Sequence, residues 1–193
     1  MTTILLARHG ETDWNREGRF QGHADPPLNE PGRAQAAELA AELKGVELAA
    51  VYSSPLRRAL ETAEVVAAEH GLEPVAVDAL REVDVGSWEG LTRVEVEARF
   101  PEQLARWLDY DLGWEDGESY DEMGRRVVAA LIELAAAHED ERILAVTHGG
   151  PIRAAFAFAD GTSHADARRL GPRIGNVFLA EFAVEGETLR RLD

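Results

Sequence analysis

The run RILAVT at 142–147 stops abruptly at His148, Gly149 and Gly150, and this restricts the fold more than any other feature of the chain. A short, continuous apolar stretch suits a strand covered on both faces. Such a strand belongs to a sheet with helices on either side. TILLA at 3–7 has the same form and ends on Arg8, His9 and Gly10, and LAAVYSS at 48–54 supplies another strand. Helical spacing of apolar residues and alanines predicts helices over Pro31–Leu43, from Pro55 through His70, over Thr92–Phe100 and Pro101–Leu108, and over Pro151–Phe158. A further helix over Ser119–Ala137 opens with Ser119 and with Glu122 three residues on, the pattern of a capping box. Short extended pieces are expected at Pro74–Val77 and Leu80–Val83, a long loop from Arg8 to Pro31, and a hairpin in VFLAEFAVEGETLRRL.

Strands alternating with helices, with no linker, repeat or low-complexity tract between them, predict an α/β fold: a three-layer α/β/α sandwich around a mostly parallel sheet, one domain over 1–193. Sites in such sheets form outside the carboxyl ends of strands. That places His9 and His148 where they can meet.

The chain contains no cysteine, which excludes disulfides, thiolate metal sites and a thiol nucleophile. It has 36 acidic and 20 basic residues and a formal charge of -16, so its surface repels nucleic-acid backbones and anionic lipids. No run approaches the roughly 18 apolar residues of a membrane span, and the opening MTTILLARHG lacks a basic leader. The expectation is a cytoplasmic protein with no nucleic-acid or membrane partner. An anionic substrate would need a local positive pocket, which makes the arginines near any site informative.

Phosphoryl transfer needs donors for the nonbridging oxygens, an in-line nucleophile and a proton for the leaving group. ARHGETDWN offers Arg8 as a fork of donors and His9 as a nucleophile, although a lone RHG is also a common polar turn. SSPLRRALETA places Arg58 near the positive end of a helix, with Arg57 turned about 100° away toward solvent. His148 lies where a bulky polar side chain is costly unless it faces a cleft, or else is a satisfied supporting residue. The two histidines could share a metal, but no thiolate or compact carboxylate set accompanies them, and no metal or cofactor is expected. For the acid, LREVDVGSWEG offers Glu82, Asp84 and Glu89; Glu82 ends an extended run, and Asp84 has the same strand parity.

RHGETDWN, QGHADPPLNEPGRAQA, SSPLRRALETA, LREVDVGSWEG, DGESYDEM and THGG, in this order, resemble the histidine phosphatase superfamily, also called phosphoglycerate mutase-like, over essentially the whole chain. The resemblance implies an enzyme in which His9 becomes phosphorylated, Arg8, Arg58 and His148 hold the phosphoryl group, and Glu82 is the proton donor. It implies that Asn15 and Gln21 touch phosphate or substrate and that Gly149 is a close-approach glycine. His23, in the long first loop, is a candidate at the pocket rim. The mutases of the family usually carry a longer segment after the acid, with a tyrosine-containing motif and basic groups for the substrate carboxylate and second phosphate; here GSWEGLTRVEVEARFPEQLARWLDYD has no lysine and the chain is shorter, which resembles the phosphatase branch. The expected function is a metal-independent phosphomonoester hydrolase acting on a small phosphorylated metabolite. The alternatives are a cofactor-dependent phosphoglycerate mutase and a noncatalytic phosphate-binding regulatory module.

Residues 91–118 are expected to cap the substrate, with Trp88, Trp107, Tyr110 and Trp114 as an apolar wall or as ordinary packing. Arg93, Arg99 and Arg106 could bind a carboxylate or pair on the surface. A homodimer is compatible with the sequence.

Overall fold

The computed structural model describes residues 1–109 and 113–192. In chain order the elements are β1 (Thr2–Arg8), α1 (Asp13–Glu17), α2 (Glu30–Leu43), β2 (Ala50–Ser53), α3 (Arg57–Glu69), β3 (Pro74–Ala76), α4 (Arg93–Arg99), α5 (Pro101–Leu108), α6 (Tyr120–Ala136), β4 (Arg142–Thr147), α7 (Gly149–Ala159), α8 (His164–Leu170), β5 (Leu179–Glu185) and β6 (Thr188–Leu192). The sheet order is β3-β2-β4-β1-β5-β6. The first four strands are parallel, and the terminal hairpin adds β5 and β6 antiparallel, so the sheet is mixed.

Side-chain alternation divides the core into two layers. Ile4, Leu6, Ile143 and Ala145 face Met123, Val127 and Leu131 of α6 and Ile152 and Phe156 of α7. Leu5, Ala7, Leu144 and Val146 face Leu39 and Leu43 of α2 and Ala59, Ala63 and Val66 of α3. Both faces of β1 and β4 are therefore covered, which is why their sequences read as unbroken apolar runs. Each large aliphatic side chain buried this way contributes about 1.5–3 kcal/mol.

The structure departs from the sequence expectations in four places, each for a local reason. The long first loop contains α1, because Thr12 and Asn15 form a reciprocal capping box. Leu56 stays extended, so α3 starts at Arg57 and Arg58 sits in its first turn, closer to the helix end than a start at Pro55 implied. Leu80–Val83 is not a strand: a 3₁₀ turn spans Asp78–Leu80, and Arg126 takes the carbonyls of Arg81 and Glu82 that a strand would offer a neighbour. The polar stretch before Gly175 holds α8, capped by Ser163, whose side chain accepts from the Asp166 N–H.

Candidate active site

β1 and β4 pair in register with Arg8 opposite Thr147, so the next residue of each strand emerges at the same edge of the sheet. Those residues are His9 and His148, with ring centroids 5.2 Å apart. The His9 N–H donates to the Thr147 carbonyl at 3.0 Å, which fixes its backbone to the end of β4. Its ring Nδ1 lies 2.6 Å from the Gly10 carbonyl. Only an Nδ1–H can make that bond, so the lone pair is on Nε2, which has no partner among the described residues. Burial, reinforced by the charges of Arg8 and Arg58, holds His9 well below the ordinary histidine value. The result is a neutral imidazole with a free basic nitrogen at neutral pH.

Gly10 makes this geometry possible. Its N–H donates to Thr62 Oγ1 at 3.0 Å, and a Cβ there would overlap the Gly32 carbonyl at the start of α2. The backbones pass too closely for any side chain.

Arg58 is fully buried. Two of its nitrogens donate to the Ala24 and Gly22 carbonyls at 2.6 and 2.8 Å, which tie the first loop to α3. Burial pulls its pKa down to about 10 despite the opposing pull of Glu82 and Asp25. Arg8 donates to the Ile174 carbonyl at 2.9 Å, and Arg57 pairs with Glu61 at the surface, as its orientation predicted. His148 meets Ser54 Oγ with Nε2 at 2.8 Å. The Nε atoms of Arg8 and Arg58 and Nδ1 of His148 are buried without a hydrogen-bond partner. Unsatisfied buried polar atoms cost about 1–3 kcal/mol each, more when charged, and these belong to the residue whose ring lies 5.2 Å from that of His9 and to the two arginines whose charges act on it. Among the described residues, no group of three His, Cys, Asp or Glu side chains is placed to hold a metal ion.

Glu82, in the loop after the Asp78–Leu80 turn, meets the first turn of α7. The Gly150 N–H faces its two carboxylate oxygens at 3.2 and 3.3 Å, and the Val83 N–H donates to Oε1 at 3.0 Å. Asp84 turns away and accepts from the Gly86 N–H at 2.9 Å. Geometry thus separates two carboxylates that strand parity could not. A Cβ on Gly150 would overlap the Glu82 carboxylate, whereas one on Gly149 would meet only Arg153 Nη1 at 3.4 Å. Gly150 is thus the glycine that packs against the acid; the helix begins at Gly149, so the second residue of its first turn faces Glu82.

Arg126 of α6 secures the same loop, and its five N–H groups are all engaged. It forms a fork on Glu118 at 2.7 and 2.6 Å and donates to the carbonyls of Ala79, Arg81 and Glu82 at 2.8, 2.8 and 2.9 Å. Sequence reasoning missed Arg126, Ser54 and Asn176. Asn176 donates to the His9 carbonyl and to Asn15 Oδ1, both at 3.2 Å.

Asn15 Oδ1 also accepts from the Thr12 N–H, and Gln21 Oε1 accepts from the Thr12 hydroxyl, so what these amides have left to offer is their N–H groups. His23 stands behind the acid, with Nε2 2.8 Å from the Glu82 carbonyl and its backbone N–H on Glu89. Trp88 is buried in edge contacts with Phe20, Trp107 and Trp114. Tyr110 lies outside the described residues. Arg93 and Arg99 are exposed, and Arg106 pairs with Glu115.

The sequence model of the histidine phosphatase superfamily (branch 1) matches residues 4–193. Phosphoserine phosphatase 1 of Hydrogenobacter thermophilus is 37% identical over 158 residues, 81% of this chain and 75% of that protein. A metal-independent phosphoserine phosphatase of Arabidopsis thaliana is 40% identical over 161 residues, 81% of this chain and 68% of that protein. The structure of a mycobacterial glucosyl-3-phosphoglycerate phosphatase superposes with a TM-score of 0.87 at 32% identity, covering 98% of this chain and 96% of that one. Some mycobacterial relatives are longer, and the chain spans 53% of their length.

Proposed function

We propose, from the premise that this chain belongs to the histidine phosphatase superfamily, that it is a metal-independent phosphomonoester hydrolase working through a phosphohistidine on His9. The observation that carries the reading is the His9 ring: its Nδ1 is committed to Gly10, its Nε2 has no partner among the described residues, and it lies beside the His148 ring and within the field of Arg8 and Arg58, whose buried Nε–H donors lack protein partners. A phosphoryl group supplies the acceptors those donors need. In the first step Nε2 attacks phosphorus as the bond to the leaving oxygen breaks, and Glu82 gives that oxygen its proton. Arg8, Arg58 and His148 hold the equatorial oxygens as charge redistributes, with the amides of Asn15 and Gln21 beside them. Water then attacks phosphorus, Glu82 takes its proton, the P–N bond breaks and inorganic phosphate leaves.

In this reading the described part of the 91–118 segment, residues 91–109 and 113–118, forms the cap over the leaving group. The absence of cysteine suits a cytoplasmic enzyme. The test is phosphate release by metal-depleted protein from phosphoserine, 3-phosphoglycerate, glucosyl-3-phosphoglycerate and ribazole phosphate. The reading expects at least one to be hydrolysed with no divalent ion added. Activity that disappears on chelation and returns with a divalent ion contradicts it, as does phosphoryl exchange with bisphosphoglycerate in place of hydrolysis.

A further inference from the structure

Glu89 is the carboxylate of LREVDVGSWEG to which the mechanism above gives no task, yet one of its oxygens, Oε1, accepts from two backbone N–H groups, those of His23 and Ala24, at 2.6 and 2.8 Å. It therefore grips the first loop. The same loop turns the carbonyls of Gly22 and Ala24 toward Arg58, whose Nη2 and Nη1 donate to them at 2.8 and 2.6 Å. The Gly22 carbonyl and the His23 N–H are the two ends of one planar peptide group. A carboxylate, a peptide and a guanidinium thus stand in series, and the negative charge on the N–H end makes the carbonyl a stronger acceptor at the other. Arg58 forms no direct ion pair among the described residues, so this peptide is the link through which Glu89 reaches it.

The fold delivers Glu89 to this loop by pairing the segments on either side. The Phe20 N–H donates to the Leu91 carbonyl and the Gly90 N–H to the Phe20 carbonyl, each at 2.9 Å, and Arg19 Nη1 donates to the Gly90 carbonyl at 2.7 Å. Trp88, next to Glu89, is buried with its ring centroid 5.0 Å from that of Phe20. Gly22 lets the loop come close: its φ is +49°, and a Cβ there would overlap Glu89 Oε1 and the Val85 side chain. Beyond Ala24 the loop is tied to the start of α3, where the Arg57 N–H donates to Asp25 Oδ1 at 2.6 Å. Held between these two carboxylates, the loop can present its carbonyls in one place only. Arg58 is fully buried, and with both Nη groups engaged its Nε–H is left without a protein partner. Burial lowers its pKa, Glu82 and Asp25 oppose this most, and Glu89 adds to them.

Resting on the hydrolase reading, we propose that Glu89 is a positioning residue for Arg58: by holding the His23 and Ala24 N–H groups it fixes the two carbonyls that orient the guanidinium, so the phosphoryl group meets an arginine already in place. The test compares wild type with Glu89→Gln, Glu89→Asp and Glu89→Ala, each with Arg58 and with Arg58→Lys. It measures kcat/KM on p-nitrophenyl phosphate and glycerol phosphate, and orthophosphate affinity by calorimetry. Glutamine keeps an oxygen where the two N–H groups need one; aspartate keeps the charge but is one methylene short. Glu89→Ala is expected to lose about 100-fold in kcat/KM, equally on both esters, and about 10-fold in orthophosphate affinity, with Glu89→Gln losing less than Glu89→Asp and staying within about 10-fold of wild type. With Arg58→Lys no fork is left to orient, and Glu89→Ala costs less than about 3-fold. Three results would overturn the proposal: aspartate matching or exceeding glutamine, an undiminished cost beside Arg58→Lys, or a loss confined to glycerol phosphate, whose poorer leaving group depends more on Glu82. The order of glutamine and aspartate decides even where alanine fails to fold. A wild type that releases phosphate from neither ester removes the hydrolase reading, and the orthophosphate affinities, which need no turnover, then decide the role of Glu89 by the same order.

Discussion

His9 and His148 occupy equivalent places at the ends of adjacent parallel strands, yet their rings have opposite hydrogen-bond partners. At His9 a backbone carbonyl takes the Nδ1–H and leaves a basic Nε2 exposed to the pocket chemistry. At His148 a serine hydroxyl meets Nε2, and the atom left unpartnered is Nδ1. If Ser54 donates to Nε2, then Nδ1 carries the hydrogen and His148 is a donor, as binding a phosphoryl oxygen requires. Strand position brings both imidazoles to the same edge of the sheet, and in the proposed mechanism the partner of the second nitrogen decides whether the ring attacks or donates.

The largest test of this contrast is truncation. His9→Ala is expected to lower kcat by at least about 10⁴-fold, because no other group can take the phosphoryl, whereas His148→Ala loses one stabilising donor and about 10²–10³-fold. Equal losses measured on one slow alkyl phosphate would break the division of roles. Gly10→Ala comes next: the new Cβ overlaps the Gly32 carbonyl, so the loop that orients His9 must shift. A drop of about 10²-fold in kcat is expected, together with a lower urea midpoint. Unaltered turnover in that variant means the Gly10 contact does not set the nucleophile. Ser54→Ala removes only the support behind His148, and about a 10-fold loss in kcat/KM is expected, with His9 still phosphorylated.

The smallest expected effect is electrostatic. Burial is the main cause holding both histidines well below 6.5, followed by Arg8 and Arg58 at His9 and by Arg58, His9 and Arg8 at His148. Buried His164 is likewise pulled down to about 4. As pH falls through about 6.5 the unfolded chain takes up these protons first, so the stability these residues contribute is complete above that value and is lost toward the folded-state values. In a proton NMR titration the His9 and His148 ring signals should stay put from pH 8 to 6. A midpoint near 6.5 for either would show that its site is open to water.

The central strands and the meeting of His9 with His148 are legible because each depends on a local signal, an apolar run with a polar stop, whereas Arg58 joins them in the sequence only through the family resemblance. Glu82 was not separable from Asp84 by parity, since the choice rests on the Gly150 N–H, 68 residues away. Arg126 was invisible for the same reason, being on a helix whose link to the acid loop exists only after folding. The short helices α1 and α8 were missed although Thr12 with Asn15 and Ser163 with Asp166 carried capping signals; with so few apolar residues their periodicity could not register. Gly149 and Gly150 differ only in what faces them, which no sequence window contains.

The most direct test of the account is to quench the metal-depleted enzyme during turnover of a phosphomonoester and locate the covalent phosphate by mass spectrometry and phosphorus NMR under alkaline conditions that preserve phosphohistidine. The account predicts one phosphoryl group, on Nε2 of His9, absent in His9→Ala and chased by water. Phosphate on His148, on Nδ1 of His9, or on no residue while turnover continues would contradict it.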